Sequence, residues 1–141
     1  MKSTDMILRK KCLQEINEEF HTADKLNEAL DHGILMQLVY SCRETDDGIR
    51  ELASRAITQI ANTEKGRVTL VTSRTLAIVV NLFDDSNVQI RYNAYTCLIN
   101  IAQFVYGVSS IIDNDVLRVL VDKLVAERDE PILILILKLL S

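Results

Sequence analysis

The sequence predicts an all-α protein built as a solenoid of stacked helical repeats, and three observations predict it. Hydrophobic residues make up 48% of the 141-residue chain, against one proline, four glycines and no tryptophan, a composition of long helices rather than many tight turns. Apolar residues recur at i, i+3, i+4 and i+7 through most of the chain, the period of helices with one buried face. The pattern itself repeats: residues 49–61 (IRELASRAITQIA) align with 90–102 (IRYNAYTCLINIA) at an offset of 41, pairing Ile49 with Ile90, Arg50 with Arg91, Ala53 with Ala94 and Ile60 with Ile101.

The offset persists beyond those segments. It pairs Gly66 with Gly107, and Leu76, Val79, Val80 and Phe83 with Leu117, Leu120, Val121 and Leu124. One step earlier it sets Leu8 and Arg9 against Ile49 and Arg50, and Leu35, Leu38, Val39 and Cys42 against Leu76, Val79, Val80 and Phe83. About three units follow, near 5–44, 45–85 and 86–128, with a terminal helix over 130–140. Each unit reads as three helices. In the middle unit they fall near 48–62, 64–71 and 74–83, and in the next near 88–104, 107–112 and 116–126. A single three-helix unit cannot cover its own apolar faces, so the units must stack into one continuous domain with two open ends.

Local punctuation agrees with these elements. Ser86 with Gln89 three residues on has the form of a capping box, and Pro131 fits the first turn of the last helix. Asp46, Asp47, Asp84 and Asp85 fall in equivalent loops just before helix starts, where they are expected to act as N-caps facing the helix dipole.

The run Ile90-Arg91-Tyr92-Asn93-Ala94-Tyr95-Thr96-Cys97-Leu98-Ile99-Asn100-Ile101-Ala102 resembles the third helix of an armadillo repeat. In that pattern an apolar residue and Arg precede Asn-Ala, with Leu, Asn and Ala following at helical spacings. Gly33 with Ile34, Leu35, Leu38 and Val39 resembles the turn from the short first helix into the second. The resemblance implies an armadillo/HEAT-like right-handed α-solenoid, a non-catalytic scaffold whose partners are other proteins. Within that family the chain is most similar to the N-terminal repeats of the radial spoke head protein 14 family. The residues concerned are Asp46-Asp47-Gly48-Ile49-Arg50, Gly66-Arg67, Leu82-Phe83-Asp84-Asp85 and the segment from Val116 to Leu124 with Glu127, Asp129 and Glu130. This similarity implies a structural component of the cilium or flagellum axoneme, with a cytoplasmic adaptor for extended peptides as the alternative.

In armadillo solenoids the third helices line a concave groove. Taking i, i+4, i+8 and i+11 along the best-matched helix gives Tyr92, Thr96, Asn100 and Gln103. The equivalent positions are Glu51, Arg55, Gln59 and Asn62, then Lys10, Gln14, Glu18 and His21. Glu18, Gln59 and Asn100 are expected to form a ladder able to hydrogen-bond an extended peptide backbone, although the same polar rows also fit plain solvated faces. Nuclear-import adaptors pair groove Asn with Trp one turn earlier. Here those positions hold Gln14, Arg55 and Thr96, so the resemblance does not extend to their basic peptides. The last helix is apolar on every side, which predicts either a docking end at Ile132, Leu133, Leu135, Ile136 and Leu139 for another protein or for end-to-end self-association, or a face that a further repeat would cover.

Composition argues against other functions. The net charge of −4 gives no cationic field for nucleic acid, and Arg9-Lys10-Lys11 is a short solvated cluster. The apolar run 131–140 is about half the ~20 residues needed to span a bilayer. No secretory h-region follows Met1, which places the chain in the cytoplasm. Cys12, Cys42 and Cys97, widely spaced in apolar stretches, read as packed, reduced thiols. His21 and His32 have no metal-ligand spacing, and Asp113-Asn114-Asp115 has Arg118 where a calcium loop needs glycine. With no phosphate loop and no nucleophile motif, neither an enzyme nor a cofactor is expected.

Overall fold

The computed structural model describes residues 2–141, with all their side chains except those of Lys2, Ser3 and Tyr106. Among these residues the chain forms ten α-helices and no strands: α1 (Lys2–Glu19), α2 (Ala23–Asp31), α3 (Ile34–Ser41), α4 (Asp47–Ile60), α5 (Glu64–Thr72), α6 (Leu76–Asn81), α7 (Val88–Ile101), α8 (Val105–Asp113), α9 (Val116–Ala126) and α10 (Glu130–Leu140). One turn of 3-10 helix, Leu82–Asp84, extends α6.

The long helices α1, α4, α7 and α10 lie side by side, each touching the next, and each of the last three also packs on the third helix of the preceding unit. The terminal helix α10 packs on α7 and α9 as α7 packs on α4 and α6, so it takes the place of a fourth long helix. The register slips there: α7 begins 41 residues after α4, but α10 begins 42 after α7.

Stacking follows from which faces are apolar. Ile49, Ala53, Ala56 and Ile60 of α4, and Ile90, Ala94, Cys97 and Ile101 of α7, are sealed from water in one shared core. Small residues alternate with branched ones, so neighbouring helices approach closely. Each fully buried Ile contributes about 1.5–3 kcal/mol.

Two polar ladders hold the units in register. Asn17 donates to the Leu52 carbonyl, and 41 residues later Thr58 donates to that of Asn93. Arg9 pairs with Glu44, Arg50 with Asp85 and Arg91 with Glu127. The last pair absorbs the register slip, since Glu127 stands one position beyond the residue equivalent to Asp85.

The turn between the second and third helices of each unit holds one left-handed residue every time, with φ of +79° at Gly33, +61° at Arg74 and +62° at Asp115. Gly66 and Gly107 serve closer packing. A Cβ on either would overlap the last carbonyls of the preceding long helix, at Ile60 and Ile101.

Several expectations need correction. The N-cap of α7 is Asn87, whose Oδ1 accepts from Gln89 and Ile90, so Ser86 forms no capping box. Of the four aspartates only Asp46 caps, accepting from the Ile49 amide. Asp85 pairs with Arg50, Asp84 with Lys123, and Asp47 accepts from Asn87. Pro131 does fall in the first turn of α10, behind the Asp129 cap. Cys42 and Cys97 are buried, but Cys12 is exposed in an open groove between α1 and α3.

Candidate functional site: a groove between the long helices

Among the predicted groove residues, Gln14, Glu18, Arg55 and Gln59 come together. With Asn17, His21, Leu52 and Asn62 they line an open cleft of about 670 Å³ between α1 and α4. Helix spacing explains this convergence, since i, i+4 and i+8 side chains rise one above another on the same face.

Asn17 is the residue the periodicity missed. It is buried, donating to the carbonyls of Leu13 and Leu52, each at 3.0 Å, and accepting from Gln59 Nε2 at 2.6 Å. An amide at i+4 from Leu13, within the apolar stripe Leu13, Ile16, Phe20, was the available signal: a polar group on a buried face needs partners. It fixes Gln59 on the wall of the cleft through Nε2, and the Gln59 side-chain oxygen keeps its capacity to accept.

Two residues of the expected ladder, Gln59 and Asn100, carry cross-unit links. Gln59 is joined to Asn17, and Asn100 Nδ2 donates to Asn62 Oδ1 at 2.7 Å. Each pair uses one side of each amide, so Asn62 retains its N–H donors and Asn100 its carbonyl oxygen. The result is a row of held amides with outward donors and acceptors.

The remaining positions differ in availability. Tyr92 is exposed on α7 and Ile134 of α10 occupies the equivalent place, so the row turns apolar toward the C-terminus. Gln103 lies past the end of α7, where it donates to the Ile99 carbonyl. Thr96 is removed from the set, because its hydroxyl oxygen is sealed from solvent. Lys10 is held by Asp46 at 3.2 Å and Arg55 lies 3.8 Å from Glu51.

The docking end also needs correction. Ile132 and Ile136 are 0% exposed and belong to the chain's own core. Leu135 and Leu139 pack against that core, and Leu133 is half-buried. The outward residues of α10 are Ile134 and Leu137. A helix that is apolar all round has no periodicity to show which face turns inward.

Burial pushes the Cys97 thiol up to about 12, and burial together with the Asp85 charge does the same for Cys42, so neither is a thiolate nucleophile near neutrality. No group of three or more His, Cys, Asp or Glu able to hold a metal ion occurs among the described residues. No helix among them is long and apolar enough to cross a membrane.

With this geometry established, solved structures place the fold. An engineered protein superposes with a TM-score of 0.80 at 23% identity, over 90% of this chain and 52% of its own. A designed armadillo repeat protein does so with a TM-score of 0.79 at 21% identity, over 90% and 54%. The fold is an armadillo-type α-solenoid. A third structure, a designed armadillo repeat protein in complex with the peptide (KR)4, superposes with a TM-score of 0.80 at 22% identity, over 90% and 54%. This chain spans about half the length of these solenoids. No protein-family profile and no curated relative matches the sequence.

Proposed function

We propose that this armadillo solenoid is a non-catalytic scaffold that holds an extended segment of a partner protein along the groove of its long helices. The observation that carries the reading is the row of amides pinned in place by cross-unit bonds, Asn17 to Gln59 and Asn62 to Asn100, beside the cleft between α1 and α4. Groups fixed before binding lose little side-chain entropy on meeting a peptide, and amides match the alternating donors and acceptors of an extended backbone. The similar solenoid captured with the peptide (KR)4 supports a peptide segment as the kind of partner. The charges differ here, however: the cleft is lined by one acid, one base, one histidine and four amides, which favours backbone recognition over charge.

A displayed library of random peptides, selected on the full chain and measured by fluorescence anisotropy, tests this reading. Gln59→Ala with Asn100→Ala removes two hydrogen-bonding groups worth about 1 kcal/mol each, so binding should weaken roughly 10- to 30-fold. Selected peptides that bind the double variant as tightly as the wild type would refute it.

A narrower reading places the scaffold in the ciliary axoneme, among radial spoke components. It is supported by the likeness of Asp46-Asp47-Gly48-Ile49-Arg50 and of the Val116–Leu124 segment to the radial spoke head protein 14 family. The alternative is a cytoplasmic adaptor. Fractionation of ciliated cells separates the two: retention on salt-washed axonemes supports the first, and complete release with detergent supports the second.

A further inference from the structure

We propose that the segment held in the groove carries an acidic residue for Arg55 and, a short step along its chain, a large apolar residue for Tyr92. This deepens the groove reading above and rests on it: the amides hold any extended backbone, and these two side chains select among segments. Both belong to inner helices, α4 and α7, each with a long helix on either side, so their exposure belongs to the groove itself. Asn93 reaches back to α4 on both sides of Arg55, donating from Nδ2 to the Ser54 hydroxyl at 3.0 Å and accepting at its carbonyl from the Thr58 hydroxyl at 2.9 Å. That contact sets Arg55 and Tyr92 at a similar height on neighbouring helices. Packed helices lie about 8–10 Å apart and an extended chain rises about 3.3 Å per residue, so side chains roughly two or three residues apart meet both.

Arg55 reaches the cleft with its donors uncommitted. Its side chain is half exposed and stands 3.8 Å from Glu51 on its own helix, too far for a hydrogen bond, whereas Arg50 and Arg91 spend their donors on Asp85 and Glu127. The planar guanidinium therefore keeps its paired N–H groups for a carboxylate of the partner. Other charges limit the match to a single acid, because Glu18 stands on the facing wall of the cleft and Glu51 beside Arg55, and both repel a second carboxylate. Tyr92 offers a ring that is 38% exposed, and the row continues beyond it with the exposed Ile134. Such a ring takes an apolar side chain rather than a cation, since the Arg55 charge nearby opposes the attraction that an aromatic face otherwise has for positive groups.

Random peptides displayed and selected on the full wild-type chain supply the probes, and fluorescence anisotropy reads their binding. The selected sequences should share an Asp or Glu set a few residues from a Leu, Ile, Phe or Tyr, a result that needs no substitution in the protein. Arg55→Glu should weaken them about 10- to 100-fold, and changing their acidic residue to Lys should recover most of that loss. Tyr92→Ala should weaken them roughly tenfold and leave the charge dependence in place. Neither side chain is buried, so both variants should keep the wild-type helical circular dichroism. Peptides weakened by Gln59→Ala with Asn100→Ala, yet lacking the acidic and apolar pair or indifferent to Arg55→Glu, would overturn this proposal and leave the groove reading standing. A selection dominated by Lys and Arg would do the same. Peptides indifferent to all of these changes would overturn both.

Discussion

Arg50 grips Asp85 through two parallel hydrogen bonds, Nε to Oδ2 at 2.8 Å and Nη2 to Oδ1 at 3.2 Å, while its Nη1 reaches the carbonyls of Glu44 and Thr45. Arg91 repeats the arrangement, binding Glu127 through Nε and Nη2 and the Asp85 and Ser86 carbonyls through Nη1. Each arginine thus ties the start of its long helix both to the loop before it and to the loop that precedes the next long helix.

Removing one partner of such a pair leaves a largely buried carboxylate without its counter-ion. Arg50→Met and Arg91→Met should each cost about 2–3 kcal/mol in urea unfolding. Arg9→Met should cost less than about 1 kcal/mol, because the Arg9–Glu44 pair is more exposed and joined by one bond. Equal effects at all three sites would contradict this ordering.

Acid should release the same clamps. Burial acts to raise Asp85, but the Arg50 guanidinium and the Asn87 amide outweigh it and hold the carboxyl below its ordinary value; Arg91 and nearby backbone amides do the same for Glu127. A carboxyl depressed in the folded state binds its proton more readily when unfolded. Its contribution is therefore complete above the unfolded values of about 3.9–4.3, and is lost as pH falls through the lower folded value. Urea midpoints of the wild type should drop steeply below about pH 4. The combined Arg50→Met, Arg91→Met variant should show a shallower slope over the same range, and parallel slopes would rule the clamps out as its source.

Gly66 and Gly107 reverse the usual helical preference. Glycine to alanine inside a helix ordinarily stabilises by about 1 kcal/mol. Here the added methyl would collide with the Ile60 or Ile101 carbonyl, so Gly66→Ala and Gly107→Ala should destabilise by more than about 2 kcal/mol. Gly33→Ala meets no atom within 4 Å, and its cost of about 1 kcal/mol should come from the left-handed backbone alone.

Arg74 holds that same left-handed conformation with a side chain attached. Arg74→Gly should raise stability by roughly 0.5–1 kcal/mol, the relief of the turn less the extra freedom gained by the unfolded chain. A loss of stability would mean that the Arg74 side chain contributes more than its backbone costs.

The repeat, its offset and the helical composition of each unit were legible because identical packing demands recur every 41 residues: Ile49 and Ile90, or Gly66 and Gly107, do the same work. Gln14, Glu18, Arg55 and Gln59 were legible as a groove because helical spacing aligns them. Asn17 was not, since its role arises from a carbonyl and an amide on a different helix. Nor was the inward face of α10, where every position is apolar and only the extra residue near Glu127 sets the rotation. Asp85 has the position of a cap, just before a helix, yet the guanidinium that claims it comes from a residue 35 positions earlier.

The most direct test of the scaffold reading follows the side-chain amides themselves. Two-dimensional NMR of the 16.0 kDa chain, titrated with a peptide selected on it, resolves the NH2 resonances of Gln14, Asn17, Gln59, Asn62 and Asn100. Progressive shifts of Gln59, Asn62 and Asn100, with Leu117, Val121 and Leu137 unmoved, are the predicted result. Unchanged groove amides together with shifts confined to another surface would contradict it.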